Sequence, residues 1–132
     1  MTATPRAIEL TEIAALAAAE KLANDIVAYD VSDQLAITDA FLLCSGANER
    51  QVRSIIDEVE IRLKQAGATL VRREGEQEGR WVLLDYSDLV VHVQNADERV
   101  FYSLERIWKD CPLIPLPAAA LAGNPASNGT RR

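Results

Sequence analysis

The most regular hydrophobic pattern in the chain follows Asn48, where Val52, Ile55, Ile56, Val59 and Leu63 recur at i, i+3, i+4, i+7 and i+11. One narrow apolar stripe of that period marks an amphipathic helix. Asn48 with Gln51 three residues on resembles a capping box, and Gly67 supplies a left-handed stop. Arg50, Arg53, Asp57 and Lys64 point outward. Ile61 falls about 180° from the stripe, which predicts one exposed isoleucine. An earlier helix opens at Pro5, a residue tolerated in a first helical turn. It is rich in alanine, with Ile8, Ile13, Leu16 and Leu22 at helical rather than strand spacing.

Apolar segments 26–31 and 40–44 precede the central helix, and 69–73, 81–85 and 88–93 follow it. Strand 40–44, the helix and strand 69–73 read as a right-handed crossover joining parallel strands. Residues 74–80, with Gly75 and Gly79, suit a flexible hairpin loop. A last helix over roughly 97–109 places Phe101, Leu104 and Trp108 on one side. The fold class is therefore α/β (mixed α+β), a mixed parallel and antiparallel five-stranded sheet with flanking helices. The ordered unit spans 5–116. Residues 1–4 are expected to be loose and 117–132 a disordered tail, because Pro, Ala, Gly, Asn and Ser there lack any apolar period.

Segments 81–85 and 88–93 are separated by Tyr86 and Ser87 alone. A two-residue turn at those positions sets Asp85 opposite Asp88, Leu83 opposite Val90 and Trp81 opposite His92, all on one side of the ribbon. The other side, Val82, Leu84, Leu89, Val91 and Val93, is purely aliphatic and must face the core. The first side combines an indole, an imidazole and two carboxylates around Leu83 and Val90. Apolar anchors with polar groups to orient a partner are what a protein-binding patch needs. The plainer alternatives are a structural histidine covered by the last helix and two aspartates that cap the turn.

Charge narrows the partner. The 132 residues hold 14 Lys+Arg against 20 Asp+Glu, a net −6. That suits one domain and disfavours a protein that coats nucleic acid through counterion release. An acidic protein grips a basic protein partner more readily. No apolar run reaches the ~18 residues of a membrane span, so a cytoplasmic protein is expected. Cys44, Cys111 and the single His92 fall short of the four or so ligands of structural zinc, and neither metal nor cofactor is expected. Cys44, in an apolar strand, reads as a buried small hydrophobe.

The enzyme alternative is a nucleotide-handling protein of nucleotidyltransferase type. Residues 44–48, at a strand end before a helix, form a place where backbone amides can cradle an anion. Such an enzyme also needs two carboxylates two residues apart on the next strand to hold its metal ions. Segment 69–73 offers none, and the pairs Asp85/Asp88 and Asp30/Asp33 are spaced by three. No catalytic residue is therefore expected. Arg72, Arg73 and Arg80 alternate with Glu74, Glu76 and Glu78, the pattern of a solvated loop rather than a phosphate clamp.

Read together, Asp25-Ile-Val-Ala-Tyr-Asp-Val-Ser, Ile37-Thr-Asp-Ala-Phe, Ser45-Gly-Ala-Asn-Glu-Arg-Gln-Val, Glu74-Gly, Gly79-Arg-Trp-Val-Leu-Leu-Asp-Tyr-Ser-Asp-Leu-Val-Val-His-Val and Arg99-Val-Phe-Tyr-Ser-Leu-Glu-Arg-Ile-Trp-Lys-Asp resemble the Iojap family of ribosomal silencing factors. The resemblance spans about residues 7–112, and the Cys111-Pro112 ending looks like the actinobacterial branch. It implies a nucleotidyltransferase-like fold without catalytic acids. It implies binding to protein fourteen of the large ribosomal subunit, where the small subunit would dock, so that translation falls under nutrient limitation. The partner surface it implies lies on Trp81, Tyr86 and Tyr102, with Asp85, Asp88, His92 and Arg99 in the same block. A homodimer is also implied, and neither sequence-specific nucleic-acid binding nor a membrane is. Two positions depart from the family pattern: Ser87 replaces the usual Gly, and Gln94 stands where a large apolar residue is frequent.

Overall fold

The computed structural model describes residues 2–75 and 77–121, with the side chains of Phe101 and Tyr102 left aside. Its elements run α1 (Pro5–Glu20), β1 (Asn24–Asp30), β2 (Ala40–Gly46), α2 (Glu49–Gln65), β3 (Arg72–Glu74), β4 (Trp81–Asp85), β5 (Leu89–Asn95), α3 (Ala96–Tyr102), α4 (Leu104–Ile107) and α5 (Ala118–Leu121). The five strands form one sheet in the order β1-β2-β5-β4-β3. Among the described residues no helix is long and apolar enough to cross a membrane.

Helix α2 forms as its stripe predicts. Val52, Ile55, Ile56, Val59 and Leu63 are its buried residues, while Ile61 is 51% exposed. Asn48 Oδ1 accepts the Gln51 N–H at 2.9 Å, and Gln51 Oε1 reaches back to the Ala47 N–H at 2.6 Å. Gly67, at φ +87°, ends the helix. Helix α1 starts at Pro5 under a Thr4 cap, as expected, and the large apolar residues that mark its helical spacing are not its buried face. Ala7, Leu10, Thr11, Ala14, Ala15, Ala17 and Ala18 face inward. Ile8, Ile13 and Leu16 only flank the core, and Leu22 lies beyond the helix, largely exposed. Alanines let α1 lie close to α2, and a larger stripe would hold the helices apart.

The expected crossover from strand 40–44 to strand 69–73 is corrected. The parallel partner of β2 is β5, from Ala40↔Leu89 to Gly46↔Asn95, whereas β3 pairs only with β4, antiparallel, at the sheet edge. Parallel strands lie covered on both faces and need near-continuous apolar sequence, which β2 and β5 have. Arg72, Arg73 and Glu74 are exposed, as an edge requires.

The hairpin register is corrected as well. Trp81 pairs with Gln94, Leu83 with His92 and Asp85 with Val90. The two turn residues are Ser87 and Asp88, closed by the Tyr86 N–H donating to the Leu89 carbonyl at 2.9 Å. Pairing therefore slides by two residues. Side chains alternate with period two, so both faces keep their members. Val82, Leu84, Leu89, Val91 and Val93 are fully buried against α1 and α2. What changes is Tyr86: it joins that aliphatic side and is 5% exposed in the core, not on the mixed face. Asp85 and Asp88 do not face each other.

The single helix expected over 97–109 divides in two. Ser103 takes the left-handed φ of +44°, and its hydroxyl donates to the Val100 carbonyl at 2.8 Å, ending α3. The turn drops Leu104 into a second cluster with Tyr29, Val31 and Leu43. The chain ends are also better tied than composition suggests. The Ala3 N–H donates to Asp30 Oδ2 at 2.8 Å. The Ile114 N–H donates to the Ala28 carbonyl, and residues 118–121, expected as the start of a tail, form α5 with Ala120 buried. Residues 122–132 of that tail lie outside the described residues.

Candidate functional site

The mixed face of β4 and β5 lies under α3 and α4, where it forms a smaller, partly open cluster. Trp81 opens β4, and the loop before it is held close by Gly75, at φ +83°. A Cβ there would sit 2.1 Å from the Trp81 carbonyl oxygen. Arg80 ties the same corner to α3: its carbonyl accepts the Asn95 N–H at 2.8 Å, and its guanidinium pairs with Glu98 at 2.9 Å.

The Trp81 indole Nε1–H donates to His92 Nδ1 at 3.2 Å. His92 is buried, edge-on to Phe41 at 4.8 Å between ring centres, and Phe41 is edge-on to Trp108 at 5.2 Å. Burial pushes the imidazole pKa down to about 4, so the ring is neutral near pH 7. With Nδ1 accepting, the ring proton resides on Nε2. The indole is fixed from below and remains only half-buried, on the same strand face as half-buried Leu83 and, at the far end of β4, Asp85. A large aromatic held in one orientation with part of its surface open is the form of an interface anchor.

The other expected site residues take different places. Asp85 Oδ1 accepts the Ser87 N–H at 2.8 Å, and Asp88 stands exposed at the turn tip. Arg99 is a buried fastener: its Nε donates to Glu105 Oε2 at 2.7 Å and its Nη2 to the Asp25 carbonyl at 2.7 Å, tying α3 to α4 and β1. Tyr86 lies across the sheet beside Glu60 and Arg73. Burial first, then the Glu60 charge, drive its phenol up to about 12 against the opposing pull of Arg73. The Tyr102 side chain lies outside the described residues. Trp81 and His92 are thus brought together, with Asp85 farther along the same strand face and Asp88 at the tip, while Tyr86 is separated from them. Gln94 was missed as a site residue. It is wholly buried and pairs with Trp81. Its position two residues after His92 on one strand was the available signal.

The anion-cradle alternative meets an occupied turn. The Ala47 N–H is taken by Gln51 Oε1, the Gln51 N–H by Asn48 Oδ1, and the Val52 N–H by the Asn48 carbonyl at 3.0 Å. The Gln51 amide nitrogen in turn donates to the carbonyls of Lys21 and Leu22. Three amides at the helix start are thus engaged within the chain, two by side chains and one by the Asn48 carbonyl. Ser45 Oγ donates to the Asn24 carbonyl at 3.2 Å. Burial raises the Cys44 thiol to about 12 despite the Arg99 charge, leaving a poor nucleophile.

The family model for the ribosomal silencing factor during starvation, RsfS, matches residues 4–131. The chain belongs to the RsfS family. The ribosomal silencing factor RsfS of Bacillus subtilis is 41% identical over 107 residues, covering 81% of this chain and 91% of that protein. The chloroplastic protein Iojap of Zea mays is 29% identical over 106 residues, covering 78% of this chain and 45% of that protein, so the Iojap resemblance is confirmed. A mouse protein named for mitochondrial assembly of the ribosomal large subunit is 27% identical over 89 residues, covering 65% of this chain and 39% of that protein. A crystal structure of a Chromobacterium violaceum protein superposes with a TM-score of 0.74 at 33% identity, covering 76% of this chain and 84% of that one. The RsfS fold is thus the mixed five-stranded sheet described above, and the protein is a ribosomal silencing factor of the Iojap type.

Proposed function

We propose that this RsfS protein silences translation by binding protein fourteen of the large ribosomal subunit in the cytoplasm, without catalysis, and so blocking the small subunit. The observation that carries the reading is the Trp81 indole, fixed by His92 and half-open beside Leu83. Family membership and the large-subunit name of the mouse relative support the same partner. Trp81, Leu83, Asp85, Asp88 and, from the resemblance, Tyr102 make the contact, while His92 and Arg99 support it from beneath. Net charge −6 favours a basic ribosomal protein and repels exposed rRNA phosphates. A homodimer using the same open face would compete with silencing.

Co-sedimentation of the full chain with purified large subunits tests this. The wild type should co-sediment and Trp81→Ala should not at equal concentration. Retained binding by a folded Trp81→Ala protein would sink the proposed surface. Incubation with nucleoside triphosphates and divalent metal is the companion assay. Turnover that disappears when the turn at 45–48 is altered would restore the enzyme alternative.

A further inference from the structure

Four buried side-chain atoms find no hydrogen-bond partner among the described residues: His92 Nε2, both amide atoms of Gln94, and Arg99 Nη1. Native proteins rarely leave such groups dry, because each has lost its solvation without replacement. Gln94 is fully buried and His92 and Arg99 nearly so. His92 and Gln94 alternate on one face of β5, and Arg99 descends from α3, which packs on β5 and β2. The same end of the sheet carries a polar row, Asn24↔Ser45↔Gln94↔Trp81. Asp25, at φ +52°, turns its carbonyl toward Arg99 there.

We infer that the seam between β5 and α3 is a binding site for ordered water, and that this water positions the Trp81 indole through Gln94 and His92. The ligand chemistry follows from the unpaired atoms. His92 Nε2, Gln94 Nε2 and Arg99 Nη1 are donors, and Gln94 Oε1 is an acceptor. What is bound along the seam must therefore accept from three donors and donate to one acceptor. Water does both, whereas a fully deprotonated anion such as chloride or sulfate donates none. Charge agrees, because the Arg99 guanidinium is already paired with Glu105 and His92 and Gln94 are neutral. The consequence reaches the indole. A water accepting from His92 Nε2–H holds the proton on that nitrogen and keeps Nδ1 free to accept from Trp81. Gln94 is then a positioning residue, acting on the indole through His92.

The functional part rests on the proposed role of Trp81, so two readouts need no ribosome. A crystal structure of the full chain at atomic resolution should place a water within hydrogen-bond distance of Gln94 and His92 Nε2. Long-range nitrogen–proton NMR should show His92 as the Nε2–H tautomer. A dry seam, with the Gln94 amide bonded to protein groups, overturns the inference, and so does an Nδ1–H tautomer. Gln94→Leu removes the bridge without removing bulk. It should leave the protein folded, mix the His92 tautomers and weaken large-subunit binding about fivefold, the equivalent of one lost hydrogen bond. A Gln94→Leu protein with the wild-type tautomer overturns the positioning role whatever its affinity. If the tautomers mix and wild-type affinity persists, the water site stands and the Trp81 surface fails.

Discussion

The two faces of the central sheet are built on different principles. On the α1–α2 side, Leu42, Cys44, Val82, Leu84, Val91 and Val93 meet alanines and the α2 stripe with no accessible surface. Nothing on that side asks for a particular partner, only for volume. On the α3–α4 side, His92, Gln94, Ser45 and Arg99 are inserted among the aromatics, and all four unpaired polar atoms belong to these residues. That side gives up burial energy to hold groups in orientation. The difference separates a face that supplies stability from the face proposed for recognition, and it is open to direct attack.

The largest effects belong on the volume-filling face. Leu84→Ala should cost about 3 kcal/mol in denaturant unfolding, and Val91→Ala about 1–2, because each leaves a cavity in a closed core. Tyr86→Ala should fall with them at about 3 kcal/mol, although the resemblance groups Tyr86 with the partner surface. For these variants, large-subunit affinity per folded molecule should be unchanged. Loss of affinity by a stable Tyr86→Ala protein would break the division of labour between the faces.

The oriented face should show itself through pH. His92 titrates at about 4 in the folded protein and near 6.5 when unfolded. As pH falls through 6.5, the unfolded chain takes up a proton that the folded chain refuses, so stability declines. The decline levels off near pH 4 and amounts to about 3 kcal/mol at most. His92→Gln should abolish this component while leaving the carboxylate titrations at lower pH. Equal pH slopes for the two proteins between 6.5 and 4 would show that the imidazole is not held neutral by burial. On the same face, Trp81→Ala should weaken large-subunit binding about thirtyfold, some 2 kcal/mol, with a smaller loss of stability than Leu84→Ala.

How much of this was legible follows from the physics of each signal. Helix α2 was readable because stripe, cap and stop are local and agree. The aliphatic face of the hairpin was readable because a slip of two residues cannot exchange faces. The register itself was not. Tyr86-Ser87 and Ser87-Asp88 are equally poor hairpin turns by composition, and the choice follows from burying Tyr86 beside Leu84. The partner of β2 was misassigned because sequence neighbours were paired, while tertiary burial sends the charged β3 to the edge. The break at Ser103 was invisible because serine does not advertise a left-handed backbone. The burial of Gln94 opposite Trp81 follows from register across the sheet, and its spacing from His92 was the one local sign of it.

The smallest expected effect tests the turn that joins the two faces. Ser87 occupies the first turn position with φ +75°, and it is exposed, so its side chain contributes little. A left-handed backbone costs a non-glycine residue about 1 kcal/mol, which glycine avoids, although glycine also loses more freedom on folding. Ser87→Gly should therefore stabilise the protein, by about 0.5 kcal/mol net. The Ser87 N–H bond to Asp85 is made by the backbone and survives the change. Proline at the same position is the converse probe: it locks φ near −65° and removes that N–H, so Ser87→Pro should destabilise and drag Asp85 out of place. If Ser87→Gly gains stability while large-subunit binding holds, the turn is a strained joint between two independent faces. If Ser87→Gly instead weakens binding, the strain itself presents Asp88 to the partner, and the turn belongs with the oriented face rather than between the two.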